Sequence, residues 1–335
     1  MEKQALDHLT NPNLNIINSP NLVNIISLKA LVDGYILNCR CEGKSPETTH
    51  TYEEHLRRFL WYCRQQNFPD DPQKLNASHL RNFFSYIASE PVRWNGSSTS
   101  ARLPATMSTV GHYYRVLKTF WGWLKREGLI TDNPLDNVKR PKTEQKIVQA
   151  LTPKEVQKLI SLCSAKTTLD TRNKAIIMMF LDTGLRVFEL AALKLSDINM
   201  DTGTVFVGHG KGNKQRMVRI GSITRKALWH YVTLYRKGES ELLFLTKTKK
   251  PLNTGAIKLM IKRLGKKAGI PNVHVHRMRH TFAISFLRAG GDIFTLQYLL
   301  GHSNLSMVQR YLKSLNADDA FKAHQKYSPI DNLKD

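Results

Sequence analysis

Apolar residues recur at three- and four-residue intervals through the first half of the chain, the spacing of one helical face. Ser45-Pro46-Glu47 reads as an N-cap, a first-turn proline and an early acid. Behind it Tyr52, Leu56, Phe59, Leu60 and Cys63 line one side of a helix. A second helix is predicted to start near Asn76 and to carry Leu80, Phe83, Phe84 and Ile87. Residues 91–105 break the pattern with Pro91, Gly96 and Pro104, a polar loop longer than most connections. Periodicity returns from Met107 to Glu127, with Val110, Tyr113, Tyr114, Leu117, Phe120, Trp121 and Leu124 on one face, and Gly128 ends the run. Residues 1–22, rich in Asn, read as an arm ahead of this helical domain of residues 23–130.

Residues 131–150 show no sustained period and hold Asn133-Pro134 and Lys139-Arg140-Pro141-Lys142, the composition of a linker. Thr152-Pro153-Lys154-Glu155 then forms a capping box, so a second domain starts there, with the boundary near residue 145. This domain, 151–315, is mostly helical. Its exceptions are Val205-Phe206-Val207 and Met217-Val218-Arg219-Ile220, two short strands joined by the glycine-rich, basic tip 208–214. Leu243-Phe244-Leu245 is a candidate third strand, and Gly255 to Lys267 a basic helix. Asp292 and Ser303 are expected to cap the helices Ile293–Leu300 and the one bearing Tyr311. The expected class is mainly α with a small β-hairpin, in two domains followed by a tail, 316–335.

Charge sharpens this picture. The 335 residues carry a formal net charge of +23, of which +5 falls in residues 1–150 and +18 in 151–335. Such a field implies a polyanionic partner. A membrane surface is excluded by pattern, because no run approaches the ~20 apolar residues of a span and no signal-like segment opens the chain. Cys39, Cys41, Cys63 and Cys163 have neither zinc-ligand spacing nor disulfide density, which predicts reduced thiols in the cytoplasm.

The chemistry lies in the basic half. Thr183-Gly184-Leu185-Arg186 is followed by Glu189, three residues on, where a helix would place the carboxylate beside the guanidinium. His276 and Arg279 repeat that spacing, and His280 points elsewhere as a structural residue. Leu300-Gly301-His302-Ser303 follows, and Tyr311 lies nine residues past His302. Arginines suit a phosphodiester, since a guanidinium donates two parallel hydrogen bonds and keeps its charge.

Residue types, order and spacing resemble the tyrosine recombinase (phage integrase) family, most closely its compact Xer-type members. The resemblance is specific over residues 151–315 and weaker over 23–130. It implies a C-shaped two-domain clamp on double-stranded DNA, with a SAM-like helical core-binding domain and a tetramer formed on two DNA sites from monomers or dimers. Tyr311 would be the nucleophile and His276 its base. Arg186 and Arg279 would hold the scissile phosphate, His302 would donate to a non-bridging oxygen, and Glu189 would support Arg186. Lys211, in Gly210-Lys211-Gly212, would protonate the leaving 5′-hydroxyl, with Lys214 the competing assignment. Lys214, Arg216, Lys258, Lys262, Arg263, Lys139 and Arg140 are the expected DNA contacts. No metal or other cofactor is implied, as the chain lacks a two-metal carboxylate cluster.

Two departures from the family pattern are the longer loop at 91–105 and a lead-in too short for a lambda-type arm-binding domain. Both favour action on a short core site. Two alternatives remain: a type IB topoisomerase acting as a monomer, and a catalytically silent DNA-binding protein. The tail speaks against the first, because residues 316–327 read as a short capped helix with Ala317, Ala320, Phe321 and Ala323 available to dock on a neighbour.

Overall fold

The computed structural model describes residues 27–94, 103–143, 149–164, 167–208, 215–312, 314–315, 319–321, 324–325 and 328. The chain divides into two compact units, 1–145 and 146–335.

In the first unit, α1 (Leu28–Cys41), α2 (Pro46–Gln65), α3 (Ala77–Ser89) and α4 (Met107–Arg126) each start at a side-chain cap: Ser27, Ser45, Asn76 and Thr106. A cap oxygen takes one of the amides that a helix start leaves without a partner. The apolar faces meet in one aromatic core, where Phe59, Phe83, Phe120 and Trp121 have no exposed surface. Phe59 and Phe83 pack edge to face at 5.0 Å, and truncating either to Ala is expected to cost about 3–5 kcal/mol. Part of the expected linker belongs to this core. Leu135 and Val138 are buried in it, and the Tyr114 hydroxyl donates to the Val138 carbonyl at 3.0 Å.

The second unit opens with the capping box of α5 (Pro153–Ser161), in which Thr152 N donates to Glu155 Oε2 at 2.7 Å and Glu155 N to Thr152 Oγ1 at 3.2 Å. Behind it α6 (Thr168–Thr183) runs through the middle of the unit, packed against α8 (Ser222–His230) and α10 (Val275–Arg288). Ala175, Ile176, Ile177, Met179 and Phe180 are all fully buried, which explains a continuous apolar run where a surface helix would show a period. β1 (Thr204–Val207) and β2 (Arg216–Arg219) pair antiparallel, with Val205 opposite Val218. Lys211 and Lys214 of the expected tip lie outside the described residues.

Leu243-Phe244-Leu245 does not add a third strand. Its neighbourhood makes only single bridges, Lys194 with Leu242 and Leu245 with Pro251. Leu243 N donates to Leu193 O and Leu245 N to the Tyr231 hydroxyl, so these amides are satisfied without a ladder, and all three side chains are buried.

A smaller core of Phe282, Ala283, Leu296, Leu300 and Val308 joins α10 to α11 (Ile293–Leu300) and α12 (Ser306–Leu312), with Tyr311 against it. Asp292 caps α11 through bonds of 2.9 Å to Phe294 N and Thr295 N. Asn304 Oδ1 accepts from Ser306 N at 2.9 Å and so takes the role expected of Ser303. The basic helix is α9 (Thr254–Lys267).

Candidate active site

Arg186 is displayed by a break between helices. α6 stops at Gly184, whose φ of +63° is a left-handed conformation; a Cβ there would lie 2.4 Å from Phe282 Cδ1. Two residues later Arg186 stands at the N-cap of α7 (Val187–Ala192), one position ahead of the helix rather than on it. The contact predicted from its spacing to Glu189 forms all the same. Arg186 N donates to Glu189 Oε2 at 2.7 Å and Arg186 Nη1 to Oε1 at 2.9 Å. A third bond runs from Arg186 Nη2 to Gly301 O at 3.2 Å.

Arg279 comes to the same place from α10. Its Nη1 donates to Gly184 O at 2.6 Å, and its Nη2 to Leu300 O at 2.7 Å and to His302 Nε2 at 2.8 Å. A guanidinium only donates, so Nε2 accepts and the imidazole proton sits on Nδ1. That Nδ1 is buried and has no hydrogen-bond partner among the described residues. Burial, and then the charges of Arg279 and Arg186, push the His302 pKa down to about 4, which leaves a neutral donor at physiological pH. Arg279 itself is drawn down to about 10, first by burial and then by Arg186, and stays charged.

Tyr311 lies between two histidines. Its ring stacks on His302 at 6.2 Å with the planes 7° apart, and His280 packs on it at 5.3 Å. His280 is buried. His276 is exposed on the turn of α10 before Arg279. Its pKa is lowered by desolvation and then by the charges of His274, Arg279, Lys258 and Arg186, all of which favour the neutral base.

Arg186, Arg279, His302 and Tyr311 meet at the turn after α11. Residues 149–317 match the phage integrase family. The chain belongs to that family. It is 36% identical over 233 residues to the tyrosine recombinase XerC of Bacillus pumilus, covering 67% of this chain and 76% of the relative. To the tyrosine recombinase XerA of Thermococcus kodakarensis it is 33% identical over 295 residues, covering 87% and 93%. A solved Tn1549 transposon integrase in complex with transposon right-end DNA shares the fold, with a TM-score of 0.71 over 90% of this chain and all of that one, at 21% identity. The protein is thus an Xer-like tyrosine-type site-specific recombinase, an enzyme acting on DNA.

One basic residue of this recombinase is not where a DNA contact needs to be. Arg216 was expected on the DNA-facing surface, yet its side chain is 3% exposed and both its Nη atoms are taken by Glu189, at 2.9 and 2.8 Å. Strand parity carried that signal: Arg216, Val218 and Ile220 share one face, and Met217 and Arg219 the other. The buried alternation of Val218 and Ile220 therefore assigns Arg216 to the inside. By contrast Lys258, Lys262 and Arg263 on α9, and Lys139 and Arg140 in the first unit, are exposed. Among the described residues no group of three His, Cys, Asp or Glu is placed to hold a metal, and no helix is long and apolar enough to cross a membrane.

Proposed function

We propose that this recombinase cuts and rejoins DNA through a covalent 3′-phosphotyrosyl bond on Tyr311. The observation that carries the reading is the convergence of Arg186, Arg279 and His302 beside the Tyr311 ring, with N–H groups of both guanidiniums and Nδ1 of His302 uncommitted among the described residues. A neutral phenol is a weak nucleophile and needs a base and nearby positive charge. The Tyr311 oxygen attacks the scissile phosphorus and its proton passes to His276. The bond from phosphorus to the 5′-oxygen breaks, and Lys211 supplies the proton that makes the 5′-hydroxyl. Arg186, Arg279 and the His302 Nδ1–H stabilise the charge that grows on the non-bridging oxygens; losing one such donor typically costs ~10²–10³-fold in rate. The phosphotyrosyl ester keeps the bond energy, so a 5′-hydroxyl from a partner strand religates it without ATP.

The exposed Lys258, Lys262, Arg263, Lys139 and Arg140, together with Lys214, contact the DNA backbone. Exchange between two duplexes requires a tetramer, and the tail favours that over a monomeric topoisomerase. Asp319 is tied to Arg288 by bonds of 2.9 and 3.1 Å, while Phe321, two residues on, is 70% exposed and free to enter a neighbouring subunit. The setting is the cytoplasm, in keeping with four free cysteines.

The test is covalent trapping. The core site is first mapped by footprinting the protein on its own locus. A duplex carrying that site, nicked just 3′ of the scissile phosphate so that the released fragment diffuses away, is then incubated with the protein and denatured. A protein–DNA band that survives denaturation is the expected result; footprinted DNA with no adduct would overturn the reading.

A further inference from the structure

Three arginines donate to three successive carbonyls at the end of α11: Arg216 Nε to Leu299 O at 2.8 Å, Arg279 Nη2 to Leu300 O at 2.7 Å and Arg186 Nη2 to Gly301 O at 3.2 Å. Two of them are the phosphate-holding pair of the proposed mechanism. The third is buried and ion-paired with Glu189. We propose that Arg216 is a positioning residue, which takes up the charge of Glu189 and fixes the last turn of α11 so that Arg186 keeps its free N–H groups for the scissile phosphate. The proposal rests on the phosphotyrosyl reading above.

Glu189 carries the first part of the argument. Its side chain is fully buried and accepts four hydrogen bonds, two from Arg216 and two from Arg186, of which one comes from the Arg186 backbone. Arg216 meets both carboxylate oxygens, while the Arg186 guanidinium meets only one. The carboxylate charge is therefore shared, and chiefly with Arg216. Remove Arg216, and a buried negative charge is left with Arg186 as its one cationic partner. A guanidinium matched to its own carboxylate has less field to offer a phosphate whose charge is growing.

The end of α11 carries the second part. The last carbonyls of a helix lack intrahelical partners and hold partial negative charge. A helix advances ~1.5 Å per residue, so three bonds on consecutive carbonyls set the three guanidiniums in register with one another. Arg216 holds this register from below. Gly301, with φ +62°, lies so close that an added Cβ would meet Arg216 Nη1 at 3.0 Å and Cζ at 3.2 Å. The next residue is His302. Arg216 thus touches the turn that orients His302 and the carboxylate that orients Arg186, with both its Nη atoms committed to that carboxylate.

Arg216→Lys separates this role from its rivals, because lysine keeps the charge but lacks the fork that spans both oxygens of Glu189 and the Leu299 carbonyl. On the nicked footprinted duplex, Arg216→Lys is expected to bind with a Kd within about twofold of wild type and to form the Tyr311 adduct at least ~10²-fold more slowly in single turnover. A second variant covers a failure to fold. Arg216→Met with Glu189→Gln removes both charges together, and is expected to fold and to cleave about tenfold more slowly than Glu189→Gln alone, because the α11 anchor is lost. Adduct formation by Arg216→Lys within threefold of wild type would overturn the proposal. So would a fall in DNA affinity that matches the fall in rate, since Arg216 would then act through binding. If Arg216→Lys does not fold and the double variant cleaves as fast as Glu189→Gln, or if neither folds, Arg216 serves stability alone. Wild-type protein runs in parallel. If it forms no adduct the phosphotyrosyl reading fails, and if it does while Arg216→Lys matches it, only the positioning role fails.

Discussion

The rings of His302 and Tyr311 lie 7° from parallel with centroids 6.2 Å apart, although the two residues belong to different elements. His302 follows Gly301 at the end of α11, and Tyr311 sits on α12 with Val308 buried beneath it. The contact sets the phenol of one chain beside the Arg279–His302 pair of the same chain. Tyr311→Phe keeps the ring, and hence the packing, while removing the hydroxyl proposed as the nucleophile. The variant is expected to bind the footprinted duplex with unchanged affinity in a gel-shift assay and to give no adduct after denaturation. An adduct from the Phe variant would move the nucleophile elsewhere.

The pKa of His302 gives the second unit an acid-sensitive stability. In the unfolded chain a histidine takes its proton near pH ~6.5, whereas folded His302 refuses it until about 4. A depressed folded pKa means that this contribution is complete above the unfolded value and is lost as pH falls through the window between the two. The loss amounts to about 3 kcal/mol at most. Thermal unfolding of wild type is expected to shift steeply downward between about pH 6.5 and 4, and that of His302→Gln to shift less. Parallel pH profiles for the two proteins would contradict the assignment.

Gly184 couples the end of α6 to the arginine pair. Its carbonyl accepts from Arg279 Nη1, and its Cα faces Phe282 and Leu300 so closely that a methyl group would lie 2.4 Å and 2.8 Å from their side chains. Gly184→Ala adds left-handed backbone strain to this overlap, about 2–4 kcal/mol together. Urea unfolding should show that loss. Cleavage at a temperature where the variant is folded should fall about tenfold or more, because Arg279 loses its seat. Wild-type stability in the variant would count against both statements.

Lys211 is tested through the leaving group. General acid catalysis is typically worth ~10²–10⁴-fold and is needed only for a poor leaving group. Replacing the bridging 5′-oxygen by sulfur makes the leaving group far more acidic. Lys211→Ala is expected to cleave ordinary DNA slowly and the sulfur-substituted DNA at the wild-type rate, measured in single turnover. Equal loss on both substrates, with sulfur rescue of Lys214→Ala instead, would place the acid on Lys214.

His276, the proposed base, is tested through the pH dependence of cleavage. Its pKa is held below the ordinary histidine value by desolvation and by surrounding cations. As a base it is competent when neutral, so single-turnover cleavage by wild type should rise with pH on the acid side and level off before the ordinary histidine range is reached. His276→Gln should be slower throughout and lose that acid limb. A profile unchanged in shape by the substitution would remove His276 from the proton transfer.

Much of this protein is legible along the chain, because the signals involved are local. Ser45, Asn76, Thr152 and Asp292 cap helices where they stand in the sequence, since a cap bond spans only two or three residues. The paired strands follow from alternation, and the arginine, histidine and tyrosine motifs from residue type and spacing. What the chain could not settle alone depends on partners distant in sequence. Leu243-Phe244-Leu245 has strand composition, but its amides go to Leu193 O and the Tyr231 hydroxyl. The proton of His302 is placed by Arg279, 23 residues away, and its pKa by the burial of both. Parity along β2 turns Arg216 inward, but nothing along the chain names its partners. Only folding brings Glu189, 27 residues earlier, and Leu299, 83 residues later, to its guanidinium. Composition determined that the protein is strongly basic; the cost of burying a charge without a partner decided what the inward arginine meets.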